Sequence, residues 1–407
     1  MAIVISSQPE DYGLAYNDNP WCFYESTLLT PSRRFIVSII DLSLTTIGQF
    51  TVLPSLSSTG SLNNAFFDPS RILQTRVESC IAIPSTNNAV YSDCSTLGFG
   101  YGLLIESQDK DANGEYQTVT IISSDPKTVW NGGVNMIDWL SFDYTDYDFN
   151  ASASGKSFLT NAPDTLYIDD DQSLFLSFLS SDKDINLMDI ATYDASGNLI
   201  DSGFIPISMT EKFGYIAVGT YDIQNSNPSL WTGFDPTTGF NNAAYYVVSV
   251  SGSGTHETKT IYINQRCSKY EPIRLHWLNR LGGYDSFNFS LKSMEETEID
   301  RRSYQQNPHT FRGGNFYDYQ TYSRGVTDYH VGMQRKLTVN TPYLTEAEST
   351  WMEDFATSPV IFQEVNNQLI AMSGKAKMIK KQTSLNDKLM QYEFELNYSL
   401  NDMRQRG

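Results

Sequence analysis

The sequence predicts a mainly β, multi-domain protein with antiparallel β-sandwiches and a small C-terminal α+β unit carrying one helix. Three observations support this fold class. The 407 residues include 25 Tyr and 22 Phe but only 18% charged residues, a composition that suits pleated, half-buried strands. Short runs alternate between apolar and polar residues and are separated by turn-forming Gly, Asn, Asp and Ser. One segment near the C-terminus carries a helix-capping pattern.

Residues 1–150 are expected to form an N-terminal β-rich domain. Six runs have the character of strands, namely Ile3–Ser7, Trp21–Ser26, Arg34–Leu42, Gln49–Leu53, Tyr101–Ser107 and Gln117–Ser123. Asp68 and Pro69 precede a short apolar-periodic stretch and predict a short helix, because Asp is a good N-cap and Pro fits the first turn. The turn that begins at Asp109 starts like a calcium loop, but the twelfth position is Thr120, so we interpret it as a hairpin turn.

Residues 151–265 are expected to form a β-sandwich of immunoglobulin-like scale. About seven strands fit into about 100 residues at the spacing that such domains use. The predicted strands are Leu166–Ile168, Leu174–Ser180, Met188–Tyr193, Leu199–Ile205, Tyr215–Ile223, Ala244–Val250 and Thr258–Asn264.

Residues 266–407 are expected to begin with a β-hairpin that turns at Gly282 and Gly283. Leu275 and Trp277 alternate with Arg274 and His276, so the first pair should be buried and the second pair should face water. One of the two turn glycines should have a positive φ. The hairpin is followed by an extended arm, then a helix that Thr345 and Glu348 cap, then a small antiparallel sheet.

The arm, Arg301–Gly332, has too few aliphatic anchors to form a domain. We expect a long loop or arm that becomes ordered when the protein assembles, since aromatic residues are spaced along a polar chain. The candidate subunit-contact residues are Tyr304, Phe311, Phe316, Tyr317, Tyr319 and Tyr322.

Charge is distributed unevenly along the chain. Residues 1–265 carry 10 Lys and Arg against 30 Asp and Glu, whereas residues 266–407 carry 18 against 17. Tight nucleic-acid binding needs clustered basic residues. The one dense basic cluster, Lys375, Lys377, Lys380 and Lys381, alternates with apolar residues as the solvent face of a strand does. We therefore expect no tight binding to nucleic acid.

Two segments resemble virion structural proteins of tailed bacteriophages, notably those of crAss-like and related short-tailed phages. The first is RCSKYEPIRLHWLNRLGGYDSFNFSL, at 266–291, and the second runs from Leu344-Thr345 through Trp351 and Ser358-Pro359-Val360 to Tyr392–Leu400. The resemblance implies a protein of the virion neck or tail, made in the host bacterial cytoplasm. It implies an oligomeric ring or hub that serves as an assembly scaffold and a DNA-channel element, with other copies and other neck or tail proteins as partners.

No catalytic, cofactor or metal motif occurs in the sequence, so we expect no enzyme, no cofactor and no metal. Two alternatives stay open. A receptor- or carbohydrate-binding β-sandwich of the tail would use exposed aromatic residues, for which Trp130, Trp139 and Trp231 are candidates. A glycoside hydrolase would need two carboxylates about 5–10 Å apart, and Asp138, Asp143, Asp146 and Asp148 lie in one aromatic segment.

The N-terminus and the cysteines predict a protein that folds in a reducing compartment. The segment MAIVISSQPEDY lacks the basic and apolar regions of a leader peptide, and no apolar run is long enough to cross a membrane. Cys22, Cys80, Cys94 and Cys267 have unrelated spacings, so we expect isolated buried thiols.

Overall fold

The computed structural model describes residues 2–26, 32–56, 63–80, 90–150, 156–252, 255–263, 269–307, 309–312, 316–319, 325–374, 390–400 and 402–403. The protein is mainly β with several antiparallel sheets, which confirms the predicted fold class. The chain divides into two compact units. The first unit comprises residues 1–265 and 278–285, and the second comprises residues 266–277 and 286–407. The parts predicted as 1–150 and 151–265 therefore both lie in the first unit.

The first unit contains eighteen strands among its described residues. They are β1 Ile3–Ser7, β2 Tyr12–Leu14, β3 Trp21–Glu25, β4 Arg34–Asp41, β5 Thr46–Val52, β6 Ser55–Leu56, β7 Asn63–Phe67, β8 Tyr91–Asp93, β9 Gly98–Lys110, β10 Tyr116–Ser123, β11 Lys127–Trp130, β12 Thr165–Ile168, β13 Phe175–Leu179, β14 Leu187–Tyr193, β15 Leu199–Pro206, β16 Phe213–Ala217, β17 Tyr245–Ser251 and β18 Thr255–Ile263. The helices are α1 Ser70–Leu73, α2 Met136–Trp139 and α3 Thr220–Gln224, with 3-10 turns at Tyr144–Asp146 and Pro228–Leu230.

Two sheets of the first unit share one core. The sheet β1-β3-β7-β6 and the sheet β2-β11-β9-β4-β5 contribute the aromatic residues at its centre. Phe23 of β3 meets Phe35 of β4 at a ring-centroid distance of 5.2 Å, and Trp21 meets Tyr101 at 6.4 Å. Side chains that alternate along β3 therefore pack across to the second sheet, as in a sandwich.

The rest of the first unit has two further sheets, β12-β18-β17-β14-β15 and β13-β16-β8. Strand β8 comes from the segment before residue 150 and pairs antiparallel with β16. The predicted strand Tyr215–Ile223 is wrong in its second half, where α3 forms instead. The Asp222 carboxylate accepts hydrogen bonds from the Ser173 hydroxyl at 3.0 Å and the Leu174 N–H at 3.2 Å, so tertiary contacts stabilise the helical turn.

The disulfide between Cys80 and Cys94 overturns the expectation of isolated thiols. The N–H of Glu78 donates to the carbonyl of Thr96 at 2.9 Å, which aligns the two segments and places the two Cα atoms 5.8 Å apart. Spacing along the sequence does not reveal this alignment. Cys22 is a free cysteine, and Cys267 lies outside the described residues.

The second unit has one eight-stranded sheet, a separate two-stranded sheet and one helix among its described residues. Its strands are β19 Ile273–Leu278, β20 Tyr284–Phe289, β21 Met294–Gln305, β22 His309–Arg312, β23 Phe316–Tyr319, β24 Val326–Asn340, β25 Ile361–Val365, β26 Gln368–Gly374, β27 Glu393–Tyr398 and β28 Asp402–Met403, and its helix is α4 Glu346–Thr357. The sheet order is β20-β19-β25-β26-β27-β24-β21, with β28 on β24. The turn between β19 and β20, together with the adjoining strand ends, lies in Leu278–Asp285 and belongs to the first unit.

Helix α4 lies on the apolar face of this sheet, as predicted. Trp351 and Phe355 both meet Trp277 at 5.2 Å, and Phe355 meets Phe394 at 4.8 Å between ring centroids. The Thr345 side chain accepts from the Glu348 N–H, and the Glu348 carboxylate accepts from the Thr345 N–H at 2.8 Å. The predicted capping box is therefore present.

Candidate functional site

The hairpin turn is a fully bonded structural element of the first unit. The Oδ1 of Asn279 accepts from the N–H groups of Leu281 at 2.9 Å and Gly283 at 3.0 Å. The indole N–H of Trp130 donates to the carbonyl of Leu281 at 2.9 Å. Gly282 has φ +88°, so the positive φ expected at one of the two glycines is at Gly282. These interactions fix the conformation of the turn.

The polar side of the hairpin strands is buried, which corrects the expectation that Arg274 and His276 face water. Arg274 is 3% exposed and His276 is 1% exposed. The Glu364 carboxylate lies 2.8 Å from His276 Nε2 and 3.3 Å from Arg274 Nε. Burial lowers the pKa of His276, although the hydrogen bond to Glu364 opposes this shift. The three side chains therefore form a buried ion-paired cluster of the second unit.

The arm is a β-ribbon for most of its described length, which corrects the expectation of a loop. We define the ribbon as β21 and β24, whose ladder runs from the pair Met294–Thr338 to the pair Gln305–Val326. All twelve side chains of β21 are exposed. The sequence analysis did not predict β21 as a strand. Strands are recognised by an apolar face that alternates with a polar one, and both faces of β21 are exposed.

The candidate contact residues fall on this ribbon and its extension. Tyr304 lies on β21, is 48% exposed, and meets the Tyr329 ring at 6.2 Å. Phe311 lies on β22, which pairs antiparallel with β23. Phe316, Tyr317 and Tyr319 lie on β23, and the side chains of all four fall outside what the structure describes. Tyr322 lies outside the described residues.

Ion pairs link the two strands of the ribbon. Arg301 meets Asp328 at 2.9 Å, Arg335 meets Glu295 at 3.6 Å, and Lys336 pairs with Glu298. Exposed pairs of this kind contribute about 0–1 kcal/mol each. They set the register of the strands, but they are a weak substitute for an apolar core.

An apolar knob on the first unit was missed by the sequence analysis. We define the knob as Met136, Ile137 and Leu140, which are 68%, 80% and 78% exposed. All three project from the short helix α2 and its C-cap. The sequence does contain a signal, because these three large apolar residues fall within the five positions 136–140 of an otherwise polar, acidic segment. The monomer therefore leaves these side chains in water.

Two of the three tryptophans proposed for a glycan-binding surface are buried. Trp130 is completely buried, and Trp231 is buried with its indole N–H donating to the Ser226 hydroxyl at 2.7 Å, so neither can serve as a glycan platform. Trp139 is half-buried and stacks on Phe142 at 5.4 Å.

The carboxylates near residue 140 have separate structural partners. Asp138 pairs with Arg280 at 2.7 Å, and Asp143 accepts from the Thr145 N–H at 2.8 Å. Asp148 is buried and accepts from the Ser181 N–H at 2.8 Å. In the Asp109 turn, Asp111 accepts from the N–H groups of Asn113 and Glu115, which confirms the hairpin turn. Within the described ranges no three His, Cys, Asp or Glu side chains come together as a metal site.

A cleft of about 470 Å³ lies on the first unit, and hydrogen bonds within the unit engage Asn17, Asp68 and Ser70 of its lining. Asp68 accepts from the N–H groups of Ser70 at 2.9 Å and Asn19 at 3.3 Å. Asn17 exchanges two hydrogen bonds with the Val134 backbone, each of 2.9 Å. The cleft thus results from loop packing.

Comparison with known proteins adds no family. No protein-family model matches the chain, and no curated protein matches it. None of the helices in the part of the chain that the structure describes is both long enough and apolar enough to cross a membrane. The exposed ribbon and the apolar knob are therefore the candidate interaction surfaces of the described residues.

Proposed function

We propose that the protein is a structural component of a tailed-phage virion. It would form an oligomeric ring or hub of the neck or tail and contact other copies of itself and other neck or tail proteins. The virion setting rests on the resemblance of the segments at 266–291 and 344–400. The assembly role rests on one observation, the ribbon whose strand β21 has every side chain exposed.

A ribbon of this length is expected to need a partner. Two strands alone are at most marginally stable in water, because they have no core. Strand β21 is the edge of its sheet, and β24 pairs with β27 over Lys336–Asn340 and with β28 at Gly332 and Met333. The part of the ribbon beyond these pairings still carries the large exposed apolar residues Tyr304 and Val326. A neighbouring molecule can supply the apolar contacts that the chain itself does not.

Charge favours a second copy of the chain as that neighbour. The arm, Arg301–Gly332, carries four Arg against two Asp, whereas residues 1–265 carry 10 basic against 30 acidic residues. A basic arm on an acidic surface of the next copy is a heterologous contact, and such contacts close into rings when the rotation permits. Opposite charges also accelerate the encounter and orient it.

The acidic first unit suits a wall past which DNA moves. Dispersed carboxylates sum to a negative field that repels phosphate. Such a wall would let a genome pass without adhering to it.

The assembly role is tested by removing the arm without disturbing its base. Asp300 and Gly332 lie opposite each other in the ladder, so an Asn-Gly turn can replace Arg301–Val331 and close a two-residue hairpin. A matched control replaces Asp111–Glu115 by Asn-Gly between Lys110 and Tyr116, which are also opposite each other. Sedimentation velocity and electron microscopy then report the assembly state.

We expect the parent protein and the control to form the same closed ring. The variant without the arm should be monomeric, with unchanged circular dichroism and an unchanged melting temperature for the rest of the fold. A parent protein that stays monomeric at every concentration would contradict the proposal. So would an arm-deleted variant that assembles as the parent does.

A further inference from the structure

We propose that the apolar knob, Met136, Ile137 and Leu140, is the docking site on the first unit for the ribbon of a second copy of this chain. This inference rests on the proposed function, since it names the two surfaces that meet when copies assemble. The observation behind it is independent of the ribbon: three large apolar side chains on one short helix are each more than two-thirds exposed. Large apolar side chains that are exposed together on a protein surface are typical of an interaction site, whereas singly scattered ones are not.

The backbone that carries the knob is held rigidly. The side chain of Asn135 accepts from the N–H groups of Ile137 and Asp138, each at 2.9 Å, and so caps α2. Val134 is fixed to Asn17 by a hydrogen bond in each direction. Polar bonds thus fix the N-terminal side of the knob while its apolar side chains project. A surface held in advance loses little conformational entropy when it binds.

Aromatic packing fixes the other side of the knob. Trp139 stacks on Phe142 at 5.4 Å, and Phe142 stacks on Tyr147 at 5.8 Å. Asp138 lies between the apolar residues in sequence and pairs with Arg280 at 2.7 Å. Trp139, the single aromatic residue of the helix, therefore packs against the first unit, whereas Met136, Ile137 and Leu140 remain exposed and accessible to a partner.

The surroundings of the knob favour a protein over a lipid surface. Asp138, Asp143 and Asp146 flank it, and the first 265 residues carry three acidic residues for each basic one. Segments that insert into membrane interfaces carry Lys and Arg beside their apolar residues, and anionic headgroups repel acidic surfaces. The fitting partner therefore offers an apolar patch together with basic residues.

The ribbon of a second copy has both properties. Tyr304 and Tyr329 meet at 6.2 Å and are each about half exposed, and Val326 is also exposed. Arg301 and Arg302 adjoin this patch on β21 and form exposed ion pairs with Asp328 at 2.9 Å and Asp300 at 3.4 Å, respectively. Exposed ion pairs are weak, so both guanidinium groups can exchange their partners for the carboxylates beside the knob. The arm as a whole carries four Arg against two Asp. The surfaces of the ribbon and the knob are complementary in hydrophobicity and in charge.

The contact can be tested by directed cross-linking between two populations of the full chain. One population carries Ile137→Cys and a second, of different tag length, carries Tyr304→Cys. Mixing them under mild oxidation should give a heterodimer band. A control pair with Ile121→Cys, which is exposed on β10 of the same unit, should give no band with Tyr304→Cys.

A second measurement uses the triple variant Met136→Ser, Ile137→Ser and Leu140→Ser. We expect sedimentation equilibrium to show self-association weakened at least tenfold, with a circular dichroism spectrum like that of the parent. The matched control, Leu53→Ser with Ile121→Ser, removes exposed apolar side chains elsewhere on the unit and should assemble normally.

The outcomes separate this inference from the proposed function. If the arm deletion abolishes the ring while the triple variant assembles normally and no cross-link forms, the knob is not the docking site and the assembly role stands. If the parent protein is monomeric, both fail. If the parent binds phosphatidylcholine vesicles and the triple variant does not, a lipid is the occupant and the proposal is overturned.

Discussion

The carbonyl oxygen of Asn131 lies 2.2 Å from the position that a Cβ atom on Gly282 would occupy. Gly282 also has φ +88°, a left-handed conformation that side chains other than hydrogen disfavour. Two independent constraints therefore act on one residue of the hairpin turn. The first is the local backbone conformation, and the second is backbone from a distant part of the first unit.

Alanine substitutions can separate the two constraints. Gly114 has φ +83°, whereas Gly325 does not have a positive φ, and no atom of the described residues lies within 4 Å of the ideal Cβ of either glycine. We expect Gly325→Ala to leave the free energy of unfolding nearly unchanged and Gly114→Ala to lower it by about 1 kcal/mol. Gly282→Ala should lower it by at least about 3 kcal/mol, because backbone atoms must move. Urea denaturation gives all three values, and equal effects at Gly114 and Gly282 would refute the steric argument.

The disulfide should stabilise the first unit. Cys80 and Cys94 are 14 residues apart, and closing a loop of about that length restricts the unfolded chain by about 3 kcal/mol. The double variant Cys80→Ser with Cys94→Ser should therefore melt at a lower temperature than the oxidised parent. Cys22→Ser is the control, since Cys22 is a free cysteine. A parent whose melting temperature is the same with and without a reductant would show that the bond adds no stability.

The sequence predicted those parts of the fold whose signals are local. The capping box at Thr345 and Glu348 needs only four positions of the sequence, and the structure contains it. Strands with one buried face, such as β14, follow the alternation of the sequence. The change from strand to helix after β16 was not predictable in this way. It depends on hydrogen bonds that Ser173 and Leu174 donate to the Asp222 carboxylate.

The candidate site was predicted less well because exposure is a tertiary property. Arg274 and His276 alternate with apolar residues and so indicate a solvent face, yet Glu364 from β25 pairs with them in the interior. Trp130 ends strand β11 and Trp231 follows the 3-10 turn Pro228–Leu230, and both are buried. The knob shows the opposite case, since apolar residues that a sequence pattern would place in a core are left in water.

The buried His276 should make stability depend on pH. Burial lowers its pKa in the folded protein, so the folded state stays neutral where the unfolded state, with a pKa near 6.5, takes up a proton. The stability associated with the neutral imidazole is present above about pH 6.5 and is lost as pH falls toward the folded pKa, by up to about 1.4 kcal/mol per pH unit.

The variant His276→Gln tests this dependence, because the glutamine amide can still donate to Glu364 but does not titrate. At pH 7.5 we expect the variant to be the less stable protein, since the imidazole packs better in its buried site. Between pH 6.5 and pH 5 the difference in unfolding free energy should shrink. A difference that stays constant over this range would show that His276 does not couple folding to protons.

The acidic first unit should neither hold a structural cation nor bind DNA. Its carboxylates serve separate local partners, as at Asp138, Asp143 and Asp148, so a chelator should leave the melting temperature unchanged. Summed negative charge repels phosphate, so fluorescence anisotropy should show no binding to duplex DNA at physiological salt. Binding that weakens steeply with added salt would instead reveal a basic surface. A variant with Lys375, Lys377, Lys380 and Lys381 changed to Gln would then locate that surface. Loss of four phosphate contacts should make the dependence of log affinity on log salt less steep by about 3.6.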